Sequence, residues 1–130
     1  MHVLAHGVDL VEVPRLANIL ERHGDRFLER VFTPDERLRG AGTRRHAEHL
    51  AARFAAKEAT LKAIGTGWRY GIAWTDISVR TGGEGEPTLL VTGDAARHAA
   101  HRGIGGWLVS LTHTESVAMA SVLALGTGPR

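Results

Sequence analysis

The chain has 130 residues, 43% of them hydrophobic and 23% charged, with a formal net charge of +2, the balance of one folded domain with a modest core. Cysteine is absent, which excludes disulfides and thiolate metal sites and suits a reducing compartment. No apolar run approaches membrane-spanning length and the N-terminus lacks a basic region followed by an apolar one, so cytoplasmic residence without membrane contact is expected.

In chain order, Val3 to Val11 reads as a strand in which Asp9 alternates with Val8 and Leu10. Asp is disfavoured inside a strand, so either this is an edge strand with a solvated carboxylate or Asp9 has a task there. Glu12-Val-Pro14 turns into a helix with Pro14 in its first turn and Leu16, Ile19 and Leu20 as its buried stripe. Arg15 and Arg22 share an exposed side of that helix, and Arg26 follows just beyond His23-Gly24. Phe27, Leu28, Val31 and Phe32 form a short apolar cluster, and Thr33-Pro34-Asp35-Glu36 is a capping box that opens a further helix. Gly40-Ala-Gly42 interrupts the chain before Thr43, after which a central helix runs to about Ile64 and stops at Gly65.

Trp68 to Tyr70 forms a connecting loop, and Ile72 to Arg80 reads as a strand carrying Trp74, Ile77 and Val79. Gly82-Gly83-Glu84-Gly85 turns the chain into a strand from Thr88 to Thr92, with Pro87 at its entrance. Gly93-Asp94 caps an Ala-rich helix that stops at Gly103; Trp107, Val109 and Leu111 then mark one face of a strand that pairs with Val117 to Leu125. Gly126 to Arg130 are expected to fray. The order predicts a single α+β domain over residues 1–130, with helices packed on a mostly antiparallel sheet.

The central helix carries the chemistry. Leu50, Phe54, Leu61 and Ile64 fall on one stripe, Lys57 and Glu58 lie inside that apolar arc, and Arg53 and Lys62 flank it. A carboxylate among core residues needs a partner. Glu58 and Lys62 stand in the favoured order for a helical ion pair, which leaves Lys57 and Arg53 unexplained. Alternatively, Glu58 is a metal carboxylate surrounded by three cations for phosphate oxygens. One strand Asp and one helix Glu would suffice for a hard cation such as Mg²⁺, with Arg53, Lys57, Lys62 and the Gly65-Thr-Gly67 amides holding a polyphosphate.

Other polar residues carry weaker signals. His113, at the end of Ser110-Leu-Thr-His113, is either a surface histidine or a group for phosphate contact or acid–base work. His46-x-x-His49 and His98-x-x-His101 each place two imidazoles on one helical face, with no evident third ligand for zinc. Trp68, Trp74 and Trp107 are widely separated and read as core or its margin.

Three blocks together resemble a known family: Gly7-Val-Asp9-Leu-Val-Glu12, the run from Arg53 through Lys57-Glu58 and Lys62 to Gly67, and Ser110-Leu-Thr-His113-Thr. The chain is similar, from about Val3 to Ala124, to the holo-acyl-carrier-protein synthases, the small bacterial class of 4′-phosphopantetheinyl transferases. The resemblance implies that fold and Mg²⁺-dependent transfer of the phosphopantetheine arm of coenzyme A to a serine of apo-acyl carrier protein. Adenosine 3′,5′-bisphosphate is the other product. It further implies Asp9 and Glu58 as metal carboxylates and Lys62 as a pyrophosphate ligand that neutralises the leaving group. Arg53, Lys57, Gly65, Pro87 and His113 are implied as coenzyme A contacts, and Arg15, Arg22 and Arg26 as the docking face for the acidic carrier protein. Active sites at the interfaces of a homotrimer are implied as well. The acceptor of the serine proton stays open between a metal-bound water and a nearby carboxylate. Where relatives usually have Asn-Gly-Lys-Pro, this chain has Glu84-Gly-Glu86-Pro87, which places two acids near the nucleotide end of a polyanionic ligand.

Two rivals come from chemistry alone. Many metal-dependent nucleases place a lysine two residues after the glutamate on a strand, whereas Lys62 follows Glu58 by four on a helix. A basic module for nucleic acid or acidic proteins would explain the arginine face but not Asp9 and Glu58, so no nucleic-acid partner is expected.

Overall fold

In the computed structural model, which describes residues 1–127, strand β1 (His2–Glu12) leads directly into helix α1 (Val13–Val31). The short α2 (Pro34–Leu38) and the central α3 (His46–Ile64) follow, then a hairpin of β2 (Ile77–Thr81) and β3 (Pro87–Val91). Helix α4 (Gly93–His101) connects to the long hairpin of β4 (Ile104–His113) and β5 (Val117–Gly126). β5 is the middle strand of a sheet ordered β1-β5-β4, and β2 with β3 forms a separate pair packed beside β4. Every strand pairing among the described residues is antiparallel, in keeping with helices on an antiparallel sheet.

α3 lies across the inner face of the three-stranded sheet, and both surfaces are built from small side chains. Val11, Ala118, Ala120 and Val122 meet Leu50, Ala51, Ala55 and Ala59 in one core. A second core joins Leu61, Ala63 and Ile64 to Ala124, Ile104 and the buried side of α4. The alanines of α3 are therefore packing surface on nearly every side, which is why the helix shows little amphipathic contrast. Contact is closest at Gly7, where an added Cβ would stand 1.8 Å from the Ala59 carbonyl oxygen. On β1 the open face carries Val8 and Leu10, 42% and 58% exposed, while Asp9 turns inward beside Gly7 and Val11.

Several boundaries differ from expectation for local reasons. The apolar cluster from Phe27 to Phe32 belongs to a second helical segment of α1, separated from the first by Gly24 at φ 45° and ψ −125°. α3 begins at His46 rather than near Thr43, because the Thr43 N–H and hydroxyl both bond the Gly40 carbonyl and hold a turn there. Only the second half of the segment from Ile72 to Arg80 is a strand. Trp74–Asp76 forms a 3₁₀ turn in which Asp76 Oδ2 accepts from the Ala73 N–H at 3.1 Å and from the Ala95 N–H at 3.4 Å. Gly126, expected to fray, ends β5 and pairs with His2 and Ile104, whereas residues 128–130 of that same tail lie outside the described residues.

Lys57 requires the largest correction. Its ammonium is fully buried and donates to Glu36 Oε1 at 2.8 Å, to the Trp74 carbonyl at 3.2 Å and to the Ile77 carbonyl. Three donors meet three acceptors, so none is left for a phosphate, and Lys57 holds α2 and the start of β2 to α3 instead. Glu36 is saturated in turn: it closes the capping box through the Thr33 N–H at 3.0 Å and accepts the Val79 N–H at 2.9 Å. Burial pushes the Lys57 ammonium below its usual range and Glu36 opposes that shift. Lys57→Met strands the buried Glu36 carboxylate and is expected to cost about 3–5 kcal/mol in urea denaturation. A loss under about 1 kcal/mol would show that the pair contributes no more than a surface one.

Candidate functional site

The Gly7–Ala59 contact brings together the residues beside it in sequence. Asp9 on β1 and Glu58 on α3 line one cavity of about 260 Å³, with Phe54 and Arg15 also in its wall. Asp9 Oδ1 accepts from Lys62 Nζ at 3.0 Å, and the same ammonium donates to the Val8 carbonyl at 3.0 Å. Asp9 lies on an edge strand, yet its side chain is only 19% exposed, so it is not a solvated carboxylate. Among the described residues Lys62 pairs with Asp9 and not with Glu58, so the helical ion pair is not formed. Glu58 Oε1 instead accepts from the Trp68 indole N–H at 3.4 Å. Burial pushes the Glu58 carboxyl up; the Trp68 N–H opposes this, the Asp9 charge adds to it, and Lys62 opposes.

These two carboxylates fit a hard divalent cation. They are oxygen donors that repel one another across a shared cavity, and a cation relieves that repulsion. No cluster of three or more His, Cys, Asp or Glu groups occurs among the described residues, so a cation here would keep most of its waters, as Mg²⁺ does. Of the histidine pairs, His49 packs edge-on against His113 with ring centroids 5.5 Å apart, and His98 lies over Tyr70.

A second, basic cluster sits at the other end of α3. His113 Nδ1 contacts Glu48 Oε1 at 2.9 Å, beside a cavity of about 720 Å³ that Arg44 and Arg45 also line. Next to it, Arg53, Pro87 and His113 line a smaller cavity of about 200 Å³ together with Arg39. Arg53 is 6% exposed; its Nη1 donates to the His49 carbonyl at 3.1 Å, while its Nε is buried without a partner. Burial and then Arg39 push the Arg53 guanidinium down, with Glu36 opposing. Three expected contacts of one ligand, Arg53, Pro87 and His113, thus converge.

Gly65 does not join either cluster as a donor. It is the left-handed cap of α3 at φ 87°, and its N–H bonds the Leu61 carbonyl at 2.8 Å. Glu84 and Glu86 are exposed at the β2–β3 turn, where Glu86 Oε2 accepts the Glu84 N–H at 3.0 Å. Arg15, Arg22 and Arg26 are all exposed, Arg15 at the wall of the carboxylate cavity and Arg26 beyond the Gly24 break. Sequence reasoning missed Trp68, Glu48 and Arg39, Arg44 and Arg45. The arginines precede α3 in a readable basic run, but nothing local ties Glu48 to a histidine 65 positions later or Trp68 to Glu58.

Helices on an antiparallel sheet thus carry a two-carboxylate cavity flanked by a lysine and a separate arginine-rich cleft. The chain belongs to the 4′-phosphopantetheinyl transferase superfamily, whose sequence profile matches residues 5–120. It is 46% identical over 121 residues to the holo-[acyl-carrier-protein] synthase of Solibacter usitatus, a match covering 93% of this chain and 97% of that one. Among solved structures, the holo-[acyl-carrier-protein] synthase of Neisseria meningitidis superposes with a TM-score of 0.83 at 31% identity, covering 95% of this chain and 98% of that one. The Bacillus anthracis holo-(acyl-carrier-protein) synthase, solved in complex with CoA (3′,5′-ADP), superposes with a TM-score of 0.78 at 30% identity, covering 98% of this chain and all of that one.

Because Glu58 ionises less readily in the fold than in the unfolded chain, its protonated form favours the fold at acid pH. That advantage is lost as pH rises from the ordinary carboxyl value through the raised one. In chelator at neutral pH, Glu58→Gln is therefore expected to melt above the parent, with the difference closing near pH 4. A lower melting temperature at neutral pH would show that the ionised Glu58 side chain stabilises the fold.

Proposed function

We propose that this chain transfers the 4′-phosphopantetheine arm of coenzyme A to a serine of apo-acyl carrier protein, with Mg²⁺ held by Asp9 and Glu58. The observation that carries the reading is the Asp9–Glu58 pair across the Gly7–Ala59 contact, in a chain 46% identical to a holo-[acyl-carrier-protein] synthase. The serine oxygen bonds to the phosphorus bearing the pantetheine arm, and the bond from that phosphorus to the nucleotide phosphate breaks. The serine proton is released, and adenosine 3′,5′-bisphosphate leaves. Mg²⁺, when bound, supplies positive charge to the diphosphate oxygens. Lys62, with a side chain 56% exposed and its ammonium held beside Asp9, adds a cation where charge grows on the leaving phosphate. Arg53, Pro87 and His113 take the nucleotide end, with Arg44 and Arg45 adding cations around His113.

Glu58 and Glu48 are ten residues apart on α3, about 15 Å along its axis, so the carboxylate cavity and the basic cleft are distinct sites on one chain. A homotrimer with shared sites supplies the two from neighbouring subunits. Exposed Val8, Leu10, Leu108 and Met119 on the sheet face opposite α3 give such an assembly an apolar contact. One transferase domain acting in the cytoplasm completes the reading. The absence of cysteine agrees with a reducing compartment, and no helix among the described residues is long and apolar enough to cross a membrane.

The deciding experiment is mass spectrometry of an apo carrier protein incubated with the chain, coenzyme A and Mg²⁺. A phosphopantetheine-sized gain is expected, absent with chelator and absent for Asp9→Asn or Glu58→Gln; no gain with the wild-type chain rejects the activity. Light scattering is expected to return the mass of three chains, and a monomer mass would exclude the trimer. In steady-state transfer, replacing Arg22 and Arg26 with glutamate should raise the carrier KM on the order of tenfold at low salt and leave that of coenzyme A near its parent value. Equal effects on both substrates would place those arginines outside carrier docking.

A further inference from the structure

Trp68 stands ten residues beyond Glu58, in the loop that follows α3, and returns to it through its indole N–H. The indole is held from behind. Its ring lies 3.7 Å from that of Trp74 by centroid, and Trp74 stacks on Phe54 at 5.0 Å and 22°. Phe54 is itself in the wall of the cavity that Asp9 and Glu58 share. The Trp74 backbone is fixed in turn, because its carbonyl accepts from the buried Lys57 ammonium. A continuous stack therefore runs from the core ion pair to one oxygen of the candidate metal carboxylate.

An indole N–H suits this position better than a cationic donor. It carries no charge to compete with a bound cation, it has no acceptor function, and it can satisfy only one carboxylate oxygen. Donation goes to Oε1 alone, and at 3.4 Å it is a long hydrogen bond that leaves most of the carboxylate charge available to a cation. Glutamate has a flexible side chain, and holding it in one orientation before the cation arrives lowers the cost of ordering it later. Lys62, the other polar neighbour, is turned to Asp9 and the Val8 carbonyl and leaves this task to Trp68.

We propose that Trp68 is a positioning residue of the active site, orienting Glu58 for a divalent cation through its indole N–H, with Trp74 and Phe54 as its platform. The inference rests on the reading of Asp9 and Glu58 as the cation site. It is tested by titrating Mn²⁺ into the protein with coenzyme A present and measuring free Mn²⁺ by electron paramagnetic resonance. Trp68→Phe keeps a ring on the stack and removes the N–H; it is expected to weaken Mn²⁺ binding about tenfold and to raise the half-saturating Mg²⁺ for transfer by a similar factor. Trp107→Phe, a core tryptophan away from the site, should change neither. Unaltered Mn²⁺ binding in Trp68→Phe, where Glu58→Gln abolishes it, overturns the role of Trp68 and spares the cation site. No Mn²⁺ binding by the wild-type chain, or binding that survives both Asp9→Asn and Glu58→Gln, overturns the cation site itself. If Trp68→Phe does not fold, the indole ¹H–¹⁵N signal of Trp68 in the wild-type chain, assigned by Trp74→Phe and Trp107→Phe, decides. It should shift as Mg²⁺ is added with coenzyme A present, and a signal that stays fixed while Mg²⁺ binds rejects the proposal.

Discussion

The close approach of α3 to β1 at Gly7 is the constraint on which the rest depends. A Cβ at that position would collide with the Ala59 carbonyl, so the helix can lie this near the strand only where the strand offers no side chain. The adjoining surfaces keep the same economy of size, with Ala118, Ala120 and Ala124 on β5 facing the alanines of α3. Since Asp9 stands two residues from Gly7 on the same face of its strand, and Glu58 adjoins Ala59, backbone contact sets the distance between the carboxylates. The site is placed by packing, and the loop after α3 contributes Trp68.

One helix thereby serves two opposed environments. Lys57 enters the core and is saturated by Glu36 and two carbonyls, while its sequence neighbour Glu58 borders a cavity and, among the described residues, accepts from an indole N–H. The first arrangement rigidifies the helix against α2 and β2. The second leaves the Asp9 and Glu58 charges unfavourably near one another, a cost the surrounding packing offsets. At the far end of α3, His113 and Glu48 join the β4–β5 turn to the helix start, so the basic cleft is also anchored on the same rigid element.

Much of this was legible in the sequence, in proportion to how local the cause is. The capping box at Thr33, the left-handed stop at Gly65 and the long strands were readable because a few adjacent residues decide each. Asp9 and Glu58 stood out as acids in apolar settings. Periodicity placed Lys57 and Glu58 in one apolar arc, but their fates diverge through Glu36, which is 21 residues away. The alternation of Val8, Asp9 and Leu10 separated two faces without telling which is inner; the absence of a side chain at Gly7 settles that in favour of Asp9. Ile72 to Arg80 carried a β-rich composition, and Asp76 bent its first half into a turn by bonding the start of α4. The aromatic platform under Glu58 was invisible because Trp68, Trp74 and Phe54 meet only after the chain has folded back on itself.

The cation site is tested most directly by the anomalous scattering of Mn²⁺ in crystals grown with coenzyme A. A single strong peak is expected between the carboxylates of Asp9 and Glu58, with an oxygen of each as a ligand and Lys57 still buried against Glu36. A peak coordinated elsewhere, or none at those carboxylates at saturating Mn²⁺, would contradict that assignment.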